Sequence, residues 1–275
     1  MVTGSNTSYM AFTITSIAII ILSTYNVEAK NENTDNDWDI LIFTQQWPVT
    51  ECKEIQKHHH DASCNMPTKQ DSWSIHGVWP TKLGTIGPGF CNRTWLFDPE
   101  QVRPIENELM QSWTNIDAGS GHYSFWAHEW NKHGTCAAML DSLNSEFKYF
   151  SKGLEWLGKF SMSDILAEGN ITPSNNNGYK ILDIHNAIKV RLGVNPAIEC
   201  RKEEGASMIA EIRICFDKKL NLHDCDGIKN HRTIGGQTVI TNCDPSQYVM
   251  YPHYSQGQMF VQLFKLISFI KWLTL

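Results

Sequence analysis

Alternation and helical spacing of apolar residues divide this chain into elements. From Trp38 to Trp47, Ile40, Ile42 and Thr44 alternate with Leu41 and Phe43, a period of two that predicts a β-strand. Trp73–Ile75 is a shorter β-prone run, ended by Gly77 and Pro80, and Met208–Phe216 and Thr238–Ile240 predict two more strands. Elsewhere the apolar spacing is helical. Asp98-Pro99 reads as the N-cap and first position of a helix running to about Trp113. Ser145–Leu157 and Ser163–Glu168 predict further helices, as does Tyr179–Leu192, whose stripe of Ile181, Ile184, His185, Ile188 and Leu192 ends at a C-capping Gly193. On that stripe His185 is expected to be a packed core histidine. Strands and helices interleave without a βαβ rhythm, so the expected class is α+β.

Both ends depart from this pattern. Ala11–Tyr25 is uncharged and apolar or small, and Val27-Glu28-Ala29 offers small residues before a cut at Lys30. Residues 1–29 are therefore expected to be a signal peptide, and the mature chain to be secreted or delivered to a lysosomal or vesicular compartment. Residues 251–275 form a C-terminal extension, densely apolar from Met259 and broken by Lys265 and Lys271. A helix packed on the body, a helix lying on a membrane surface and a discarded anchor signal are all compatible with it. The stretch between, 30–250, shows no repeat and no linker and is expected to be one domain. With 41% hydrophobic residues and ten tryptophans the whole chain has the means to bury a large core.

Charge narrows the partners. The net charge is −6, and removal of the signal segment takes away only Glu28. An acidic chain is poorly suited to coating nucleic acid, where phosphate neutralisation dominates affinity, although a small site can still be locally cationic. Eight cysteines, an even number, fit full pairing in an oxidising compartment, with the connectivity left open by the residues alone. In such a compartment Asn92-Arg-Thr and Asn170-Ile-Thr are glycosylation acceptors. His58-His59-His60 lies between Cys52 and Cys64 and reads as a solvated loop tip.

The candidate chemistry is concentrated in Phe125-Trp-Ala-His128-Glu129-Trp130-Asn-Lys132-His133-Gly134-Thr-Cys136. If Trp126–His133 is a regular helix, His128 with Lys132 and Glu129 with His133 are neighbours on adjacent stripes. A base, an acid and a cation then face one space. A zinc-protease helix, the nearest competitor, needs histidines four apart. Here they are five apart, about 140° around a regular helix, and Lys132 takes the second ligand's place, so no metal is expected. A second segment, Ser74-Ile75-His76-Gly77-Val78-Trp79-Pro80, supplies another histidine.

Together these two segments closely resemble the active-site segments of the ribonuclease T2 family, with Val78 where leucine is commoner. Gln46-Trp47-Pro48 followed by Cys52, and Pro196-Ala-Ile-Glu-Cys200, are similar to the family's first core strand and the entry to its later strands. The resemblance spans roughly residues 38–245. It implies a single α+β domain with an antiparallel sheet flanked by helices, and the pairs Cys52–Cys64, Cys91–Cys136, Cys200–Cys243 and Cys215–Cys225. It implies cofactor-independent cleavage of single-stranded RNA through a 2′,3′-cyclic phosphate, by an enzyme expected to act as a monomer. In the implied roles, His133 activates the 2′-hydroxyl and His76 protonates the departing oxygen. Glu129 and Lys132 stabilise the transition state and His128 binds phosphate. Trp79 stacks on the upstream base and Gln46 contacts the downstream one. DNA, lacking the 2′-hydroxyl, is expected to be inert. Trp126 and Trp130 are expected to be scaffold. A different class stays open beside the enzyme: a secreted interaction protein on the same scaffold, acting on host cells or membranes through glycans, loops or the tail.

Overall fold

The computed structural model describes Met1 and residues 37–254, apart from 61, 86, 204, 229 and 230. The expected signal peptide and the apolar stretch from Met259 lie outside the described residues. The chain divides into units Met1–Asn33 and Thr34–Leu275, and the architecture below is that of the second.

Strand β1 (Ile40–Gln46) is central to it, paired antiparallel with β2 (Ser74–Thr81) on one side and β5 (Ala206–Phe216) on the other. The sheet continues through β4 (Ala197–Glu203), β8 (Gln237–Thr241) and β7 (His231–Ile234), in the order β2-β1-β5-β4-β8-β7. Short strands β6 (Leu222–His223) and β9 (Val249–Tyr251) add to β5, and β3 (Ser174–Tyr179) pairs with β9. Pairing is antiparallel except for β4 with β8 and β5 with β9.

The alternation in β1 is a division between two cores rather than between core and solvent. All seven of its residues are buried. Leu41 and Phe43 join the main core, where the helices cover one sheet face; Ile40 and Ile42 join a smaller cluster with Ala197, Ile240 and Cys215 on the other. Strand β2 is longer than its sequence suggests and runs through Gly77 to Pro80. It stands at the end of the sheet order, where a proline's missing N–H costs no second ladder.

Helix α1 (Pro48–His58) has no counterpart in the sequence reading. Proline at its first turn suits helix initiation, and Cys52–Cys64 staples it to the following loop. The histidine run is thus partly helical: His58 ends α1 and bonds Glu54 at 3.1 Å, while His59 and His60 are exposed. The helix expected from Asp98 to Trp113 is broken into α2 (Pro99–Val102), a 3-10 turn (Arg103–Ile105) and α3 (Glu106–Ser112). Pro104 is the reason, since its ring and missing N–H interrupt a regular helix. Asp98 does cap it, accepting from the Glu100 N–H at 3.1 Å.

Next come α4 (His122–Glu129), a π-helical segment (Trp130–Gly134) and α5 (Thr135–Ala137), then α6 (Glu146–Lys159) and α7 (Met162–Glu168). Ser145 caps α6 and Ser161 caps α7, each contributing about 1 kcal/mol. Helix α8 (Ile181–Leu192) buries Ile181, Ile184, His185 and Ile188 and ends at Gly193, whose φ of 77° is the left-handed cap expected. Trp126 and Trp130 are both buried, as scaffold residues should be. All eight cysteines are paired: Cys52–Cys64, Cys91–Cys136, Cys200–Cys243 and Cys215–Cys225. Among the described residues no helix is long and apolar enough to cross a membrane.

Candidate active site

Two elements carry the candidate residues, β2 with His76 and Trp79, and the α4–π segment with His128, Glu129, Lys132 and His133. A β-bulge aims His76. Thr44 of β1 pairs with Gly77 and Gln45 with Ile75, leaving His76 as the extra residue of β2. Its backbone carbonyl accepts the Trp113 indole N–H at 2.9 Å, and its ring lies 5.9 Å from that of Phe125. Two residues on, Val78 exchanges hydrogen bonds with the Tyr149 hydroxyl.

The helix side is not the regular helix assumed from spacing. At its π segment the Thr135 N–H reaches back five residues to the Trp130 carbonyl. The extra residue in the turn brings residues five apart onto one face, and the His128 and His133 rings stand 6.4 Å apart. The expectation that His133 sits about 140° away from His128 is therefore corrected. Gly134 makes the turn possible, since a Cβ there would meet the Trp130 ring at 2.2 Å.

One nitrogen or oxygen from each of His128, Glu129 and His133 lies within 4.8 Å of the others, close enough to consider a metal. The chemistry of the set argues otherwise. Glu129 already accepts the Trp79 indole N–H at 2.8 Å, and its pKa, pushed up by burial against the opposing pull of His76, Trp79 and Lys132, is about 7. A carboxyl half-protonated near neutrality, beside a lysine ammonium, is a poor ligand and a competent proton carrier.

Trp79 joins the two elements. Its ring is edge-on to His76 at 4.9 Å and tilted to His133 at 5.4 Å, with the Arg213 guanidinium 5.3 Å from its centre. Gly77 lets it come so close to the helix, because a Cβ there would lie 2.1 Å from the indole nitrogen and 2.2 Å from Glu129 Oε2. Cys91–Cys136 and a Phe90 N–H to Lys132 carbonyl bond of 2.9 Å dock the loop after β2 on the same helix.

The two principal histidines have opposite surroundings. His76 Nδ1 lies 2.6 Å from Glu211 Oε1. Burial opposes its charge, but Glu211, with Glu129 and Glu51 behind it, prevails and raises its pKa. His133 has no carboxylate partner of this kind. Burial, then the charges of Lys132, His128 and His76, hold its pKa well below the ordinary value. His128 is exposed and is lowered, less strongly, by burial and by Lys132. Gln46 ends β1 in register with Ser74 and Glu211 and is only 5% exposed. Asn92 and Asn170 are both exposed, though each also has a local conformational reason to be asparagine. Asn92 Oδ1 accepts from Thr94 N and Oγ1, and Asn170 adopts φ 58° after α7.

Sequence reasoning missed Glu211 and Arg213. The signal was present in Ala210-Glu211-Ile212-Arg213-Ile214, where two charges recur at the strand period inside an apolar run.

The model of the family described as "Ribonuclease T2 family" matches residues 38–225. Ribonuclease Oy from Magallana gigas is 39% identical over 194 residues, covering 69% of this chain and 88% of its own length. The crystal structure of human RNase T2 superposes with a TM-score of 0.62 at 31% identity, over 78% of this chain and 99% of its own. RNase NT, solved in complex with 5′-AMP, gives 0.61 at 31% identity, over 76% and 100%.

Proposed function

Given that the chain belongs to the ribonuclease T2 family and is an endoribonuclease acting on RNA, we propose that it cuts single-stranded RNA without a metal, through a 2′,3′-cyclic phosphate, with His133 as base and His76 as acid. The observation that carries the split is the contrast between the two imidazoles. A base must be neutral at the start of the reaction and an acid must be charged. No described carboxylate hydrogen-bonds His133, and burial with the charges of Lys132, His128 and His76 favours its neutral ring. His76 rests on a buried carboxylate, which favours the cation. Two titratable groups pushed apart by their environments mark an acid–base pair.

In this reading His133 takes the 2′-hydroxyl proton, the 2′-oxygen attacks phosphorus, and His76 gives a proton to the departing 5′-oxygen. Negative charge growing on the phosphoryl oxygens meets the Lys132 ammonium, the exposed His128 ring and, when protonated, the Glu129 carboxyl. The roles reverse as water opens the cyclic phosphate. The bound 5′-AMP of RNase NT supports a nucleotide-sized subsite here too. Trp79 is proposed to stack on the upstream base and Gln46, at the buried end of β1, to contact the downstream one. Double-stranded RNA is a poor substrate in this scheme because pairing hides the bases and restrains in-line attack. Secretion after removal of residues 1–29, glycosylation at Asn92 and Asn170, and action as a monomer belong to the same proposal.

The experiment is cleavage of ApU in excess EDTA, with products resolved over time, for the wild type and His133→Phe. Transient cyclic phosphate that vanishes in the variant is the expected result. A cyclic phosphate that persists in His133→Phe, or turnover that needs a divalent ion, overturns the assignment.

A further inference from the structure

Outside the two active-site segments, one buried side chain is aimed straight at the site. Glu211 of β5 is 2% exposed, yet it faces the bulged histidine of β2 across β1. Its two oxygens have separate partners. Oε1 lies 2.6 Å from His76 Nδ1, and Oε2 accepts from Arg213 Nη2 at 2.6 Å and Nε at 3.2 Å. Arg213 is braced in turn by Glu199 of β4 at 3.7 Å and by the Trp79 ring. A carboxylate held from behind by a planar guanidinium cannot swing away from the imidazole.

We propose that Glu211 is a positioning residue for His76: its buried carboxylate binds the Nδ1–H and thereby presents Nε2 to the substrate in both half-reactions. The inference rests on the reading of His76 as the proton donor. Its consequence is a fixed tautomer. When Nε2 gives its proton to the 5′-oxygen, the remaining proton stays on Nδ1, bound to Glu211. The Nε2 lone pair then points into the cleft, ready to take a proton from the water that opens the cyclic phosphate. Without the carboxylate, the neutral ring is free to carry its proton on Nε2, where it is useless for that second step.

Glu211 also acts through charge. The groups facing His76 are Glu211 and Arg213 on β5, Glu51 on α1, and Glu129, His128, Lys132 and His133 on the α4–π segment. Among the carboxylates only Glu211 bonds the ring. Burial would raise its own pKa, but His76 and then Arg213 hold it well below the ordinary value, so it stays ionised across the working range. Glu129 and Glu51 are both raised, by burial first, and supply weaker and pH-dependent fields.

The test uses the full protein and two independent readouts: the NMR titration of the His76 ring, and the pH dependence of kcat and KM on ApU. Glu211→Gln keeps an oxygen for the Nδ1–H but removes the charge. Its expected effect is an acidward shift of the His76 titration by about 1–3 units. The alkaline limb of kcat/KM is expected to move with it while KM hardly changes. Glu211→Ala should in addition lower kcat at the pH optimum, since orientation is lost too. The double variant Glu211→Gln, Arg213→Gln leaves no stranded guanidinium and guards against a folding failure of the single one; the shift is expected to persist there. A His76 titration unchanged in Glu211→Gln and in the double variant overturns the proposal, as does a loss confined to KM. If the wild type cleaves no RNA, the functional reading fails by itself, and the NMR arm still decides whether Glu211 governs His76.

Discussion

Trp79 donates its indole N–H to Glu129 Oε2 at 2.8 Å and so spans the gap between the histidine strand and the histidine helix. The bond favours the ionised carboxylate, against the burial that pushes Glu129 up to about 7. It also fixes the orientation of the Glu129 carboxyl. Trp79 therefore has a task beyond any stacking on a base, and the two tasks are separable. Trp79→Phe keeps an aromatic face and loses the N–H. A hydrogen bond to a charged group contributes about 1.5–3 kcal/mol, so kcat is expected to fall by roughly 10–100-fold with little change in KM. Steady-state kinetics on ApU check this; a variant with raised KM and intact kcat would assign Trp79 to binding alone.

The legibility of this site depended on what kind of information each residue carried. His76, His128, Glu129, Lys132 and His133 stand in two short runs of unusual composition, so the sequence exposes them directly. Their mutual geometry was not legible, because spacing arguments assume 3.6 residues per turn and the π segment at Trp130–Gly134 breaks that assumption. Glu211 was invisible for another reason: it reaches His76 through strand register and a bulge, which depend on three strands at once. In the fold, β1, β5, β8, α6, α7 and α8 were readable from periodicity and caps. Helix α1 was not, since its stability comes from Cys52–Cys64 and from packing rather than from a pronounced apolar stripe. Pro104 and Pro80 misled in opposite directions. The first broke a helix that the apolar spacing had suggested was continuous, and the second was accommodated at a sheet edge where a strand had seemed to end.

Cys91–Cys136 joins residues 45 apart in sequence and closes a loop that contains the second catalytic segment. Chain-entropy arguments give a crosslink of that span roughly 4 kcal/mol of stabilisation. Cys136 is buried next to the π segment, so the crosslink also restrains the turn that carries Lys132 and His133. The variant Cys91→Ser, Cys136→Ser is expected to lose up to about 4 kcal/mol in urea unfolding. At low urea, where the fold persists, it should already turn over ApU more slowly than the wild type. Equal turnover for the two proteins below the unfolding transition would confine the crosslink to a stabilising role.

Glu129 places function and stability in opposition. Its carboxyl is 1% exposed, and burial raises its pKa from the ordinary 4.5 to about 7 in the folded chain. Between those two values the native state holds a proton that the unfolded state has released. The associated stability is complete below pH 4.5, declines as pH climbs through the window, and is gone above about 7. A gap of that size corresponds to roughly 3 kcal/mol. Glu129→Gln is neutral at every pH and escapes the loss. Its stability relative to the wild type is expected to improve by roughly 3 kcal/mol between pH 4 and pH 8, while its cleavage of ApU collapses. Urea unfolding at the two pH values measures the difference directly. Should the two proteins keep a constant stability difference across the window, Glu129 would be an ordinary ionised carboxylate in the folded enzyme, and its part as a protonated stabiliser of the phosphoryl oxygens would have to be given up.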